Sequence, residues 1–163
     1  MVKIRSALMK DLELITDIYN DAIVKTVATF DTEPKSIDEQ KQWFLDHGTK
    51  NPILVAEQEG AIIGWAALSK YSTRCAYKDT AELSIYVTEA WQGKGVGKKL
   101  LEAILKKGRD VGLHVVIARI TEGNEKSVHL HKSVGFEEVG ILKEVGHKFN
   151  KRLDVYLLEK RFT

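Results

Sequence analysis

The sequence predicts an α/β protein, a central mixed and strongly twisted sheet of about seven strands flanked by helices. Three observations carry this. Residues 81–120 read as strand, amphipathic helix and apolar strand in succession, the order of a crossover between parallel strands. Residues 53–88 hold three neighbouring runs rich in β-formers, parted by short turn signals. Residues 11–47 and 124–133 place apolar side chains at helical spacing.

Taken in order, Val2 to Ser6 alternates apolar and polar residues as a half-buried strand does. Asp11 opens a helix whose apolar stripe is Leu12, Ile15, Ile18, Tyr19, Ala22 and Ile23, and Thr29 to Pro34 breaks it. Ser36 starts a second helix because Glu39 stands three residues on, the spacing of a capping box, and Gly48 ends it. Strands follow at Ile53 to Gln58, Ala61 to Tyr71 and Ala81 to Thr88, the first two joined by a Glu59-Gly60 hairpin turn. Val96, Leu100, Leu101, Ile104 and Leu105 form one helical stripe that stops at Gly112, and His114 to Ile120 is a short apolar strand. Asn124 to Ser133 is helical with Gly135 as its C′ residue, and strands near Glu138 to Glu144 and Leu153 to Lys160 close the chain.

Composition bounds the function. The 163 residues are 44% hydrophobic and 29% charged, the range of one globular domain spanning 1–163, without repeats or a low-complexity linker. A formal charge of +2 lacks the basic excess of a nucleic-acid binder. Cys75 is the only cysteine, so no intrachain disulfide forms, and the N-terminus shows no apolar signal core; a cytoplasmic setting fits both. Ala61 to Ile63 and Trp65 to Leu68, parted by Gly64, fall short of the roughly 20 residues needed to cross a bilayer. No membrane partner is expected.

The segment Gln92-Gly93-Lys94-Gly95-Val96-Gly97-Lys98 lies between a strand and a helix. Glycines there let backbone N–H groups approach an anion, and the helix N-terminus adds a favourable dipole. A P-loop is excluded, because Gln92 stands where it needs glycine and Lys99 where it needs serine or threonine. The dinucleotide fingerprint fails too: from Gly93 its last glycine falls on Lys98, and from Gly95 on Leu100. What remains, glutamine, two residues, glycine, one residue and glycine, resembles the pyrophosphate loop of the GNAT superfamily of N-acetyltransferases.

The resemblance covers nearly the whole chain and narrows to the phosphinothricin and methionine-sulfoximine acetyltransferases. Ile18 to Ala22, Thr26, Ala28 to Pro34, Arg74 to Tyr77, Thr80, Glu82 and Ile85 to Val87 carry it. So do Asn124, Ser127, Leu130-His131, Gly135-Phe136, Val145-Gly146, Lys148 and Asp154-Val155. Two positions depart: the family usually has arginine at Lys78 and tryptophan at Arg152. The resemblance implies the GNAT-type fold, with coenzyme A in the cleft where two parallel strands splay, acetyl-CoA as cosubstrate, no metal, a small-molecule amine acceptor and a homodimer.

It also implies roles. Glu82 is the expected general base, since an ammonium must lose a proton before its nitrogen attacks a thioester. His131 stands where many GNAT enzymes carry tyrosine, and serves either as acid to the leaving thiolate or as a hydrogen-bond partner of the coenzyme. Coenzyme contacts are expected from Ile85, Val87, Gln92, Gly93, Lys94, Gly95, Val96, Gly97, Lys98, Asn124, Ser127 and His131, with the Val87 N–H at the oxyanion. Phe30, Arg74, Tyr77, Lys78 and Lys148 are the expected substrate contacts; Arg74 offers a guanidinium to an anionic group. Cys75 suits a packed apolar side chain better than a nucleophile in a direct-transfer family. Two other readings are an acyl-CoA sensor, which has no use for Glu82 or Arg74, and a protein N-terminal or ribosomal-protein acetyltransferase, which needs a peptide groove.

Overall fold

Apolar alternation and turn chemistry assemble one sheet, described over residues 1–163 in a computed structural model. Its elements are β1 (Lys3–Ser6), α1 (Leu12–Lys25), α2 (Ile37–His47), β2 (Ile53–Gln58), β3 (Ala61–Lys70), β4 (Thr80–Val87), α3 (Val96–Asp110), β5 (Val115–Thr121), α4 (Glu125–Ser133), β6 (Glu137–Lys148) and β7 (Lys151–Arg161). The seven strands run in the order β1-β2-β3-β4-β5-β7-β6. Only β4 and β5 are parallel, joined by the expected crossover through α3; the other pairs are antiparallel.

Helices cover both faces, and the two-residue period of the strands decides which side chains each face receives. On one face Leu100, Leu101 and Ile104 of α3 are fully buried against Ala66, Leu68, Leu83, Val116 and Leu158. Each such side chain contributes about 1.5–3 kcal/mol by leaving water. On the other, Ile15 of α1 packs with Val55, Ile62, Trp65 and Ala67, joined by Trp43 and Phe44 of α2. Ala81 and Leu83 of β4, with Val116, Ala118 and Ile120 of β5, belong to the α3 side. Glu82, Ser84, Tyr86, Ile117, Arg119 and Thr121 therefore project from the α1 side.

Local signals act as the sequence indicates. The Ser36 Oγ accepts the Glu39 N–H and the Glu39 Oε2 accepts the Ser36 N–H, both at 3.1 Å. Glu59 and Gly60 take φ of 50° and 83°, the paired positive values of a tight hairpin turn. Asp11 precedes α1 but makes no side-chain cap. It receives Arg5 at 2.7 and 2.9 Å and the Leu8 N–H at 2.8 Å, fastening β1 to the helix, and the Arg5 guanidinium holds its carboxyl below the usual range.

The last hairpin differs from expectation. β6 and β7 are longer than Glu138–Glu144 and Leu153–Lys160 and meet at Phe149-Asn150, with φ of 50° and 63°. Register shifts between Glu138 and Gly140 and between Leu142 and Gly146 break the alternation that would have marked β6 as one long strand. No helix is long and apolar enough to cross a membrane.

Candidate active site

The parallel pair β4–β5 is registered only over Thr80–Glu82 and Val115–Ile117. Beyond Glu82 the strands part, and a cavity of ≈ 490 Å³ opens between them, lined by β4, β5, α4 and residues 28–30, with Tyr19 of α1, Leu142 and Val145 of β6 and Val155 of β7. The backbone of β4 is aimed into it. The Thr88 N–H bonds to the Ile63 carbonyl on β3 at 2.9 Å. Antiparallel alternation then turns the N–H groups of Tyr86 and Ser84 toward β3 and those of Ile85 and Val87 toward the gap. The Val87 carbonyl, on the gap side, accepts Gln92 Nε2 at 3.0 Å, so the glutamine of the loop motif braces the strand end.

Past Gln92 the chain needs glycine twice. Gly93 and Gly95 have φ of 75° and 84°, and a Cβ at either position would meet nothing within 4 Å, so conformation and not crowding selects them. The first bond inside α3 runs from the Lys99 N–H to the Gly95 carbonyl at 3.2 Å, which leaves the N–H groups of Val96, Gly97 and Lys98 without helical partners. No acidic residue stands in that first turn, and Lys94 and Lys98 flank it. These features fit an anion such as a pyrophosphate. Gly97 has a further cause: a Cβ there would lie 3.3 Å from Leu130, so its smallness lets α3 approach α4.

His131 is 3% exposed on α4, edge-on to Phe136 at 5.1 Å. Its Nδ1 lies 2.7 Å from the Ser127 carbonyl. A carbonyl can only accept, so Nδ1 carries the proton and Nε2 presents a lone pair. Burial pushes the ring below its usual pKa, with the Ser127 carbonyl opposing. Near neutral pH His131 is thus a neutral acceptor at Nε2, better suited to receiving a hydrogen bond than to donating a proton. Asn124 caps the same helix, its Oδ1 accepting the Ser127 N–H at 3.4 Å.

His131→Phe is expected to lower kcat about tenfold and leave coenzyme affinity within about tenfold. A lowered folded-state pKa means that below about pH 6.5 the unfolded chain binds the proton more readily. The contribution to stability is therefore present above that pH and lost as pH falls through the lowered value. The variant's Tm should fall less than wild type's between about pH 7 and pH 5, with buried His47, lowered in the same way, supplying the remainder. Unchanged turnover together with an unchanged Tm profile would remove His131 from both roles.

On the α1 side, Glu82 is half-buried at the point where the strands part and lines the cavity. Arg119 of β5 faces it, Nε to Oε1 3.4 Å. Tyr19 donates to Asp31 and meets Thr29 Oγ1 at 3.0 Å. Burial first, then the bond to Asp31, pushes its phenol well up; burial raises Tyr86 to about 12. Both phenols thus stay protonated beside the cavity. Phe30 lies against Gly146, where a Cβ would come 2.2 Å from the ring, so Val145-Gly146 is where β6 admits the aromatic side chain.

The cavity gathers Phe30, Glu82, Ile85, Asn124, Ser127 and His131 from the expected set. It does not gather the rest of the substrate set. Lys148 is 5% exposed and donates from Nζ to the Thr29 carbonyl at 2.8 Å, holding the loop that carries Phe30. Arg74, Tyr77 and Lys78 sit on the exposed loop between β3 and β4, with Tyr77 against Tyr71 at 5.2 Å. Sequence reasoning missed Arg119, although a charged residue inside the otherwise apolar run Val115–Ile120 was a visible signal. No group of three His, Cys, Asp or Glu side chains is placed to hold a metal ion.

Known proteins are similar to this chain in sequence and fold. Residues 13–136 match the Acetyltransferase (GNAT) family. The L-amino acid N-acyltransferase MnaT of Escherichia coli is 35% identical over 97% of this chain and 92% of its own. The L-methionine sulfoximine/L-methionine sulfone acetyltransferase of Pseudomonas aeruginosa is 37% identical over 96% of this chain and 92% of its own. A phosphinothricin acetyltransferase from Sinorhizobium meliloti, solved in complex with acetyl-CoA, superposes with a TM-score of 0.95 at 34% identity, covering 99% of this chain and 88% of that one. With its seven-stranded sheet parted between β4 and β5, the chain belongs to the GNAT acetyltransferases and is an acetyl-CoA N-acetyltransferase of the phosphinothricin and methionine sulfoximine acetyltransferase group.

Proposed function

We propose that this enzyme acetylates the α-amino group of a small amino-acid-like acceptor of the phosphinothricin, methionine sulfoximine or methionine sulfone type, with Glu82 as general base. The observation that carries the proposal is the position of Glu82, lining the cavity at the last residue of β4 registered with β5 while the Ile85 N–H faces the same gap. Bound acetyl-CoA supplies the thioester carbonyl that the amine attacks. Glu82 accepts one proton from the acceptor ammonium, directly or through water; the C–N bond forms, the C–S bond breaks as the tetrahedral intermediate collapses, and the second proton lost by the nitrogen goes to the leaving coenzyme thiolate.

The thioester oxyanion is received on the gap side of β4, where the Val87 N–H expected for it and the Ile85 N–H both point. A strand rises about 3.3 Å per residue, so Ile85 lies about 10 Å from Glu82 along β4 and Val87 about 16 Å. Direct proton transfer to Glu82 favours Ile85 as the donor, and transfer through a water admits Val87. The neutral Nε2 of His131 receives a hydrogen bond from the coenzyme side.

We read residues 1–163 as a single domain working in the cytoplasm, in keeping with the free, exposed thiol of Cys75. A homodimer is part of the proposal. Exposed apolar residues along the edge strand β6, among them Val139, Ile141, Leu142 and Val145, support it. So does the placement of Arg74, Tyr77 and Lys78 away from their own chain's cavity, where they can serve a neighbouring copy.

An acceptor panel with acetyl-CoA, read as free thiol release, tests this. Methionine sulfone, methionine sulfoximine or phosphinothricin is expected to exceed spermidine and an aminoglycoside by at least about 100-fold in kcat/KM. Equal rates on spermidine would overturn the acceptor class, and a higher rate on peptide N-termini would replace it with protein modification.

A further inference from the structure

We infer that Arg119 is the receptor for the acceptor's α-carboxylate, so that Glu82 and Arg119 together form a template for a zwitterion. The inference rests on the proposed amino-acid acceptor. Glu82 and Arg119 are the only charged side chains that line the cavity. Arg74, Lys78 and Lys148 do not line it. Within its own chain an α-carboxylate entering this cavity thus finds one cation, and Arg74 and Lys78 of a neighbouring copy are left for the acceptor's side-chain group.

The position suits the role. Along β5 the burial pattern leaves Arg119 as its one exposed residue, in a strand that is otherwise apolar up to Ile120. Its side chain keeps 52% of its surface and that of Glu82 32%, so both can be reached by a ligand. The nearest approach between them, 3.4 Å, is made by Nε, which leaves the forked end of the guanidinium for another oxyanion. Standard bond lengths hold the amino nitrogen and carboxylate oxygens of an α-amino acid about 3 Å apart, the same scale as this ion pair. On binding, the ammonium replaces Arg119 as the partner of Glu82, and the carboxylate replaces Glu82 as the partner of Arg119. The exchange leaves no charge unpaired and brings the nitrogen to the base.

The test compares L-methionine sulfone with its α-amide as acceptors for wild type, Arg119→Gln and Arg119→Lys. Wild type is expected to favour the acid over the amide. In Arg119→Gln that preference falls by about 10–100-fold, chiefly through KM for the acid, the size expected for losing a charge-assisted contact. Arg119→Lys retains part of the preference, since a point charge keeps attraction and loses the fork. Coenzyme affinity by calorimetry should stay within about threefold of wild type in both variants, showing an intact cleft. Equal losses on acid and amide would overturn the inference and leave Arg119 as a partner of Glu82 alone. So would a wild type that does not distinguish the two acceptors. Absence of thiol release by wild type with either acceptor would instead defeat the amino-acid reading itself, and the inference with it.

Discussion

Replacing Glu82 by glutamine is expected to lower kcat/KM for amine acetylation by about 10²–10⁴-fold at neutral pH, with fold and coenzyme affinity retained. Glutamine preserves the shape of the side chain at the mouth of the strand gap and removes its capacity to take a proton. The loss is large because an acceptor amine with a pKa near 9 is about 99% protonated at pH 7, so proton removal precedes every productive attack. Raising the pH lets solution do this work. The gap between variant and wild type should close by about tenfold per pH unit below the amine pKa, provided that chemistry limits both. A pH–rate profile of both proteins with one acceptor reads this. Wild-type activity at pH 7 in the variant would remove Glu82 from the mechanism. A loss that stays constant up to about pH 10 would assign it to substrate positioning.

Gly95→Pro is expected to reduce coenzyme affinity by more than about 100-fold, because proline fixes φ near −65° where the chain requires 84°. The change re-aims the unpartnered N–H groups of Val96, Gly97 and Lys98, the proposed cradle for the pyrophosphate. Gly95→Ala is the milder companion. A Cβ there meets nothing, so only the left-handed backbone opposes it, at about 1–2 kcal/mol; affinity falls only as far as the free loop relaxes out of that conformation, at most roughly 5- to 30-fold. Calorimetry on folded protein gives both values. Unchanged affinity in a folded Gly95→Pro variant would contradict the placement of the pyrophosphate.

Much of this architecture was legible because its signals are local. The α3 stripe at Val96, Leu100, Leu101, Ile104 and Leu105 is buried as read, and the Ser36–Glu39 box caps α2 from both sides. The β6–β7 hairpin was legible in its two strands but not in their length or their turn. Phe149-Asn150 turns with positive φ at two residues without the glycine that usually marks such a turn, and bulges interrupt β6. Glu59-Gly60, which has its glycine, was found.

The site divides along the same line. The Gln92–Gly97 loop is contiguous, and its conformation follows from its own glycines. Glu82 and His131 became candidates through family resemblance, since a lone glutamate on a strand or a lone histidine on a helix has no period of its own. The Glu82–Arg119 pair depends on the register that sets Glu82 opposite Ile117. Likewise, the burial of Lys148 on the Thr29 carbonyl spans 119 residues of chain, and the fit of Phe30 on Gly146 is equally long-range. Such contacts exist only once the sheet has formed.

The most direct measurement is a structure of the enzyme with coenzyme A and L-methionine sulfone. The pyrophosphate should lie on the N–H groups of residues 93–98, the sulfur between Ile85 and His131, and the acceptor nitrogen within hydrogen-bond reach of Glu82, about 2.6–3.2 Å or through one water. Coenzyme bound away from the β4–β5 gap, or an acceptor nitrogen beyond the reach of Glu82 and one water, would contradict the account.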